Sequence, residues 1–198
     1  MKRLRKGRIR NFDLRSNLTH HHEHHVNKVI DVTEISMLDQ RIEVIVDRTK
    51  QQYPSWPCRR GCDACCRRLS ESPRITEAEW NRLAGLIATL ESKVRDRIYQ
   101  GIAEVRGQKS PVICPMLDRE EGACLVYPAR PLACRTYGYY DQRGIGIYCP
   151  DIESEVRQGR FQDVIWGNQD VMDRDQSCLG PLRALDEWLA SDLIESGS

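Results

Sequence analysis

The chain has 198 residues, 40% of them hydrophobic and 30% charged, which suits one domain with a buried core at ~100–200 residues per domain. No apolar run approaches the ~20 residues of a bilayer-spanning helix, so a membrane span is excluded. Nine cysteines fall short of the ~8–10% of a disulfide scaffold. The net charge of +1 is unevenly spread: six of 30 basic groups lie within residues 1–10, leaving 24 against 29 acidic groups in the rest.

The first segment is therefore a basic arm, carried by Lys2, Arg3, Arg5, Lys6, Arg8 and Arg10. No apolar stretch follows it, so it does not read as a secretory signal. The expected compartment is the cytoplasm, where thiols stay reduced. His20, His21, His22, His24 and His25 come next. Adjacent histidines on an unsupported segment lack neighbours to orient them, so no metal site is assigned there. Residues 1–32 read as a disordered basic and His-rich arm, able to touch nucleic acid by counterion release. Residues 33–194 form the domain and 195–198 a tail.

Residues 33–52 carry Ile35, Leu38, Ile42, Ile45 and Val46 at 3–4 spacing, which predicts an amphipathic helix capped by Thr33 and stopped by Pro54. Thr76 and Glu79 make a capping-box pattern. The apolar spacing from Trp80 through Val105 predicts helix from 75 to about 107, with Gly107 as a stop. Residues 108–150 are rich in Pro and Gly and read as loops and short strands. A short helix is expected around Phe161, Val164, Ile165 and Trp166. A last helix is expected over 181–194, with Pro181 in its first turn. The fold class is mainly α: a single domain of helices around an irregular cysteine-rich centre, with little β.

The cysteines carry the chemistry. Cys58, Cys62, Cys65 and Cys66 fall within nine residues. Ligands two to four residues apart let a loop present several sulfurs to one point, and Gly61 permits the turn. Cys65 and Cys66 are neighbours whose side chains diverge in most conformations, so four-fold ligation from this loop alone is awkward. Cys114, Cys124 and Cys134 are too widely spaced to chelate alone and suit loops that fold back to complete the site. Cys58 and Cys134 are then expected in one cluster, roughly 3.5–4 Å apart around a shared tetrahedral zinc or somewhat further apart around an iron–sulfur cube. Cys149 is left open, and Cys178 reads as a small buried hydrophobe. Arg59, Arg60, Arg67, Arg68, Arg130 and Arg135 flank the two segments and can offset thiolate charge.

The pattern Cys58-x3-Cys62-x2-Cys65-Cys66, then Cys114-Pro-x-Leu-Asp118, Gly122-x-Cys124, Tyr127, Arg130-Pro131 and Cys134-Arg135-x-Tyr137-Gly138, resembles the YkgJ-type cysteine-cluster family. The resemblance covers roughly residues 55–140. It implies a zinc- or iron-chelating CxxCxxCC protein whose biochemical role is unassigned, with Zn²⁺ or an iron–sulfur cluster as cofactor. It also raises Tyr127, Arg130 and Arg135 as residues supporting the bound group. Two other readings stay open. An iron–sulfur enzyme is suggested by a methylase relative and by the Cys58-x3-Cys62-x2-Cys65 spacing of radical enzymes, against which stand Cys66 and the short chain. A zinc-stabilised nucleic-acid module would use the basic arm, against the acidic charge of the body.

Overall fold

The computed structural model describes residues 29–195, so the basic and His-rich arm lies outside the described residues. The first helix, α1, runs Val29–Gln52, four residues earlier than its apolar spacing predicts. It buries Ile35, Leu38 and Ile42, and Pro54 prevents its continuation. A loop over 57–70 carries the first four cysteines, turning through bonds such as Cys62 N–H to Arg59 O and Arg68 N–H to Cys65 O.

The region predicted as helix from 75 to 107 is two helices, α2 (Glu77–Ala88) and α3 (Ser92–Glu104). Thr76 and Glu79 form the expected capping box at the start of α2. Residues 108–149 hold short strands, β2 (Leu117–Asp118) and β3 (Ala123–Cys124), after β1 (Arg74–Ile75). A 3₁₀ turn at Tyr127–Ala129 leads into the short α4 (Leu132–Thr136). Then come β4 (Tyr140–Gln142) and β5 (Ile145–Gly146).

The helix expected around Phe161–Trp166 is absent. The chain there is irregular, with Phe161 at φ 68°, and the helices lie on either side, α5 (Pro150–Arg157) and α6 (Gln169–Ser177). Pro150 starts α5 with Asp151 and Glu153 in its first turn, where acids suit the helix dipole. The Asn168 side chain accepts from Val171 N–H to start α6. Phe161 is apolar because it fills a core, against Trp56 at 4.6 Å between ring centroids, and not because it lies on a helical stripe. The last helix, α7 (Leu185–Glu195), begins later than Pro181 because residues 183–184 form β7, which pairs antiparallel with β1. Glu187 accepts the Ala184 N–H at 2.8 Å and so marks the helix start.

The architecture is mainly α, and its strands are two or three residues long. Two cores lie side by side. In one, Trp80, Leu83 and Ile87 of α2 and Ile98 and Ile102 of α3 meet Leu185 and Trp188 of α7 and residues from the 113–129 segment. In the other, Leu38 and Ile42 of α1 meet Trp56, Leu132, Tyr139, Ile152 and Met172. Cys66, Cys114 and Cys124 pack on the first core, whereas Cys58 and Cys149 pack on the second. The cysteine loops therefore form the seam between them. No helix among the described residues is long and apolar enough to cross a membrane.

In the second core β4 pairs with β5 on one side and in parallel with β6 (Gly167–Asn168) on the other. A Cβ at Gly167 would lie 2.5 Å from the Tyr140 ring, and that ring is itself buried. Gly167→Ala should destabilise the protein by ~1–3 kcal/mol, the cost of overpacking. Gly85, exposed in α2 with open space at its Cβ position, provides the control: Gly85→Ala should stabilise by ~0.5–1 kcal/mol. Urea midpoints measure both, and an unchanged midpoint for Gly167→Ala would refute the close approach.

Candidate metal centre

The first cysteine loop and the second segment are joined by backbone pairing. Leu69 and Val112 exchange both hydrogen bonds, at 2.9 and 2.8 Å, and Cys114 N–H donates to Cys66 O at 2.8 Å. The β2–β3 hairpin then pairs Leu117 with Cys124. Asp118 shapes this hairpin by accepting from Glu120 and Glu121 N–H, and those two donors hold its carboxyl below the usual carboxylate range. Cys134 arrives on α4, its N–H bonded to Pro131 O. Cys58 is held from two sides: its thiol lies 3.7 Å from Tyr137 O, and the Tyr139 hydroxyl donates to Cys58 O at 2.6 Å. Cys149, buried at the N-cap of α5, completes the neighbourhood.

Glu79 fixes the approach of α4. Its carboxylate is buried and accepts from Thr76 N–H and Thr76 Oγ1 within the capping box. It also accepts from Leu132 N–H at the start of α4 and from Gln176 Nε2 on α6, each at 2.8 Å. Arg82 reinforces the same junction by donating to Arg130 O while pairing with Asp39 of α1. The sequence pattern explains Glu79 as a capping residue; its reach to α4 and α6 requires the tertiary fold.

All nine cysteines are free thiols. Cys65 and Cys66 place their sulfurs 4.0 Å apart. Interaction with Cys66, together with burial, raises the Cys65 thiol well above the ordinary range. Interaction with Cys114 pushes the Cys66 thiol up to about 12. Burial, with the nearby Cys62 and Cys65, pushes Cys58 up to about 11. Burial raises Cys134 too, with Cys65, Cys66 and Cys124 adding to the effect. Cys65 is thus the neighbour common to Cys58 and Cys134. Among the described residues no three Cys, His, Asp or Glu side chains form a closed ligand set around one point. The sulfurs form a broader cluster along the seam.

The flanking residues divide. Arg130 stacks over the Tyr127 ring at 3.7 Å from its centroid, and its charge opposes the upward shifts of Cys58, Cys124 and Cys134. Arg135 pairs instead with Asp39 and Glu43, tying α4 to α1. Arg67 pairs with Asp63 and donates to Arg119 O, which clips the first loop to the hairpin. Cys178 is exposed, not a buried hydrophobe: it ends α6, with its thiol 3.6 Å from Arg174 O.

Residues 57–178, well over half of the chain, match the CxxCxxCC family, described as a zinc- or iron-chelating domain. The chain belongs to this family. No curated protein and no solved structure matches it. The CxxCxxCC domain opens directly before Cys58 and takes in every cysteine of the chain. Its donor set fits the family's chemistry, because clustered thiols favour zinc and iron over hard, oxygen-seeking cations. Cys149 joins the cluster although its sequence position does not assign it there. The one local signal is Pro150 after it, a helix-start mark that places Cys149 at a cap.

Two variants test how the seam is held. Glu79→Ala leaves buried donors on Thr76, Leu132 and Gln176 without an acceptor, at ~1–3 kcal/mol each. A loss of ~3 kcal/mol or more in urea unfolding is expected, with a smaller loss for Glu79→Gln. A loss under ~1 kcal/mol for the alanine variant would show the junction to be unimportant. Gly138 sits at φ +87°, and a Cβ there would lie 3.3 Å from the Cys58 sulfur. Gly138→Ala should displace Cys58 and speed its alkylation in the native protein, read by mass spectrometry of the Cys58 peptide. An unaltered rate counts against this contact.

Proposed function

We propose that this CxxCxxCC domain holds its metal in an all-thiolate centre drawn from Cys58, Cys62, Cys65, Cys66, Cys114, Cys124 and Cys134, with Cys149 added from α5. The observation that carries this reading is the meeting of two cysteine segments, distant in sequence, at the seam between the cores. Eight sulfurs exceed the four that one tetrahedral zinc takes. One iron–sulfur cluster also takes four thiolates, so a centre that uses most of the eight would hold two such groups, zinc ions or clusters. Arg130, over Tyr127, supplies positive charge beside the thiolates, and the rest of the buried anionic charge is met by the metal itself. Because the metal would tie the loops of both cores together, its binding energy would also be folding energy. Cysteines engaged with metal rather than in disulfides would suit a reducing compartment such as the cytoplasm.

A second reading, an iron–sulfur enzyme, is favoured by one observation: a cleft of about 560 Å³ has Cys58 in its wall. A purely structural centre needs no such access.

Anaerobic purification without an added histidine tag, followed by elemental analysis and a visible spectrum, tests the proposal. Brown protein with iron and sulfide is the expected sign of a cluster, and colourless protein with stoichiometric zinc of zinc ions. Cys58→Ser, Cys65→Ser and Cys134→Ser should each lower metal content and thermal stability together, and Cys178→Ser should change neither. Full metal occupancy in the first three variants would overturn the centre as drawn.

A further inference from the structure

The cleft beside Cys58 lies between α1 and the cysteine loops. Its acidic wall is largely neutralised within the fold. Asp39 pairs with Arg82 and Arg135, and Glu43 pairs with Arg135. Its basic wall is not. Lys50, Arg59 and Arg130 line the cleft, and among the described residues none of the three has a carboxylate at ion-pair distance. Asp47 is the remaining acid of the lining, so the unpaired charge of the cleft is net positive.

Arg130 is the best placed of the three. Its main chain is fixed through its carbonyl, which accepts from Arg82 at 3.0 Å. Its side chain is fixed by the Tyr127 ring and by Nε donating to Tyr127 O. The two terminal nitrogens of the guanidinium have no hydrogen-bond partner among the described residues. A held guanidinium with its outer edge free is a receptor for a planar or tetrahedral oxyanion, since two parallel N–H donors match two oxygens. A cavity of this volume lies within the range of small-molecule sites.

We propose that this cleft binds a small organic molecule through a carboxylate or phosphate group held by Arg130, with Lys50 and Arg59 adding charge at the rim. The ligand would lie against the Cys58 edge of the cysteine cluster. The assignment concerns the cleft and does not require that a metal be present, so it can fail separately from the proposed centre.

Calorimetric titration of the full chain at low ionic strength with inorganic phosphate and, separately, with succinate tests it. At least one probe should bind one-to-one, and the preferred probe identifies the anionic group. Arg130→Gln should weaken that binding at least about tenfold, since the loss of even one of its two charge-assisted hydrogen bonds has that effect. Lys50 and Arg59 are exposed, so the double variant Lys50→Gln/Arg59→Gln keeps the test valid if Arg130→Gln does not fold; it should weaken binding several-fold. Arg143→Gln, on the exposed β4–β5 turn away from the cleft, should have no effect. Absence of binding by both probes, or equal weakening by Arg143→Gln, overturns the proposal. Metal content measured on the same samples separates the two readings: probe binding by metal-free protein supports the cleft alone.

Discussion

A buried carboxylate costs several kcal/mol unless its oxygens are satisfied, and Glu79 meets that demand with donors from three helices. Thr76 anchors it at the start of α2, Leu132 at the start of α4 and Gln176 on α6. Each donor comes from a different stretch of chain, so the carboxylate sets their relative placement as well as capping one helix. Cys134 follows Leu132 by two residues on α4. The position of the second cysteine segment relative to the first is thus set partly by a group that is not a ligand. Arg82 and Arg135 repeat the logic in a part-buried position by bringing Asp39 of α1 to the same junction.

The seam between the two cores accounts for the gathering of so much cysteine there. Apolar side chains from α2, α3 and α7 close one core, and those from α1, α5 and α6 close the other. Between them run loops whose peptide groups cannot be covered by a regular sheet. Backbone bonds at Leu69–Val112 and Cys66–Cys114 satisfy part of this region. In the proposed reading, metal–sulfur bonds complete it, adding to the links that Glu79 and Arg82 already make between the two packing units. Burial and the nearby sulfurs oppose ionisation of Cys58, Cys65, Cys66, Cys124 and Cys134, a cost that a bound metal would offset.

The parts of this arrangement differ in how far the sequence discloses them. The apolar spacing of Ile35, Leu38 and Ile42 and the Thr76/Glu79 pair mark their helices because both signals are local. The first cysteine loop stands out for the same reason, since four thiols in nine residues are a local signal, whereas its meeting with Cys114 and Cys124 needs the tertiary fold. Phe161 and Trp166 mislead: their spacing imitates a helix face, yet they are core aromatics on an irregular connection, and packing overrides periodicity. Cys178 misleads in the opposite way, because an isolated thiol carries no sign of its exposure. Glu79's bonds to Leu132 and Gln176 span 53 and 97 residues, beyond any local pattern. The same holds for Arg135, whose place beside Cys134 in sequence suggests service to the sulfurs, whereas its ion pairs face α1.

The match to the family covers residues 57–178, while α1 ends at Gln52 and α7 begins at Leu185. Both cores nevertheless depend on those outer helices: Ile42 from one and Leu185 and Trp188 from the other are buried against matched residues. The Trp188 indole even donates to Ile75 O, and Trp80 reaches Asp192. A fragment cut at the edges of the cysteine motif would therefore leave two apolar faces wet, the Trp80 indole without its Asp192 acceptor and the Ile75 carbonyl without its Trp188 donor. The unit that recurs as a sequence signature is smaller than the unit that can fold, and the flanking helices serve the cysteine module as its lids.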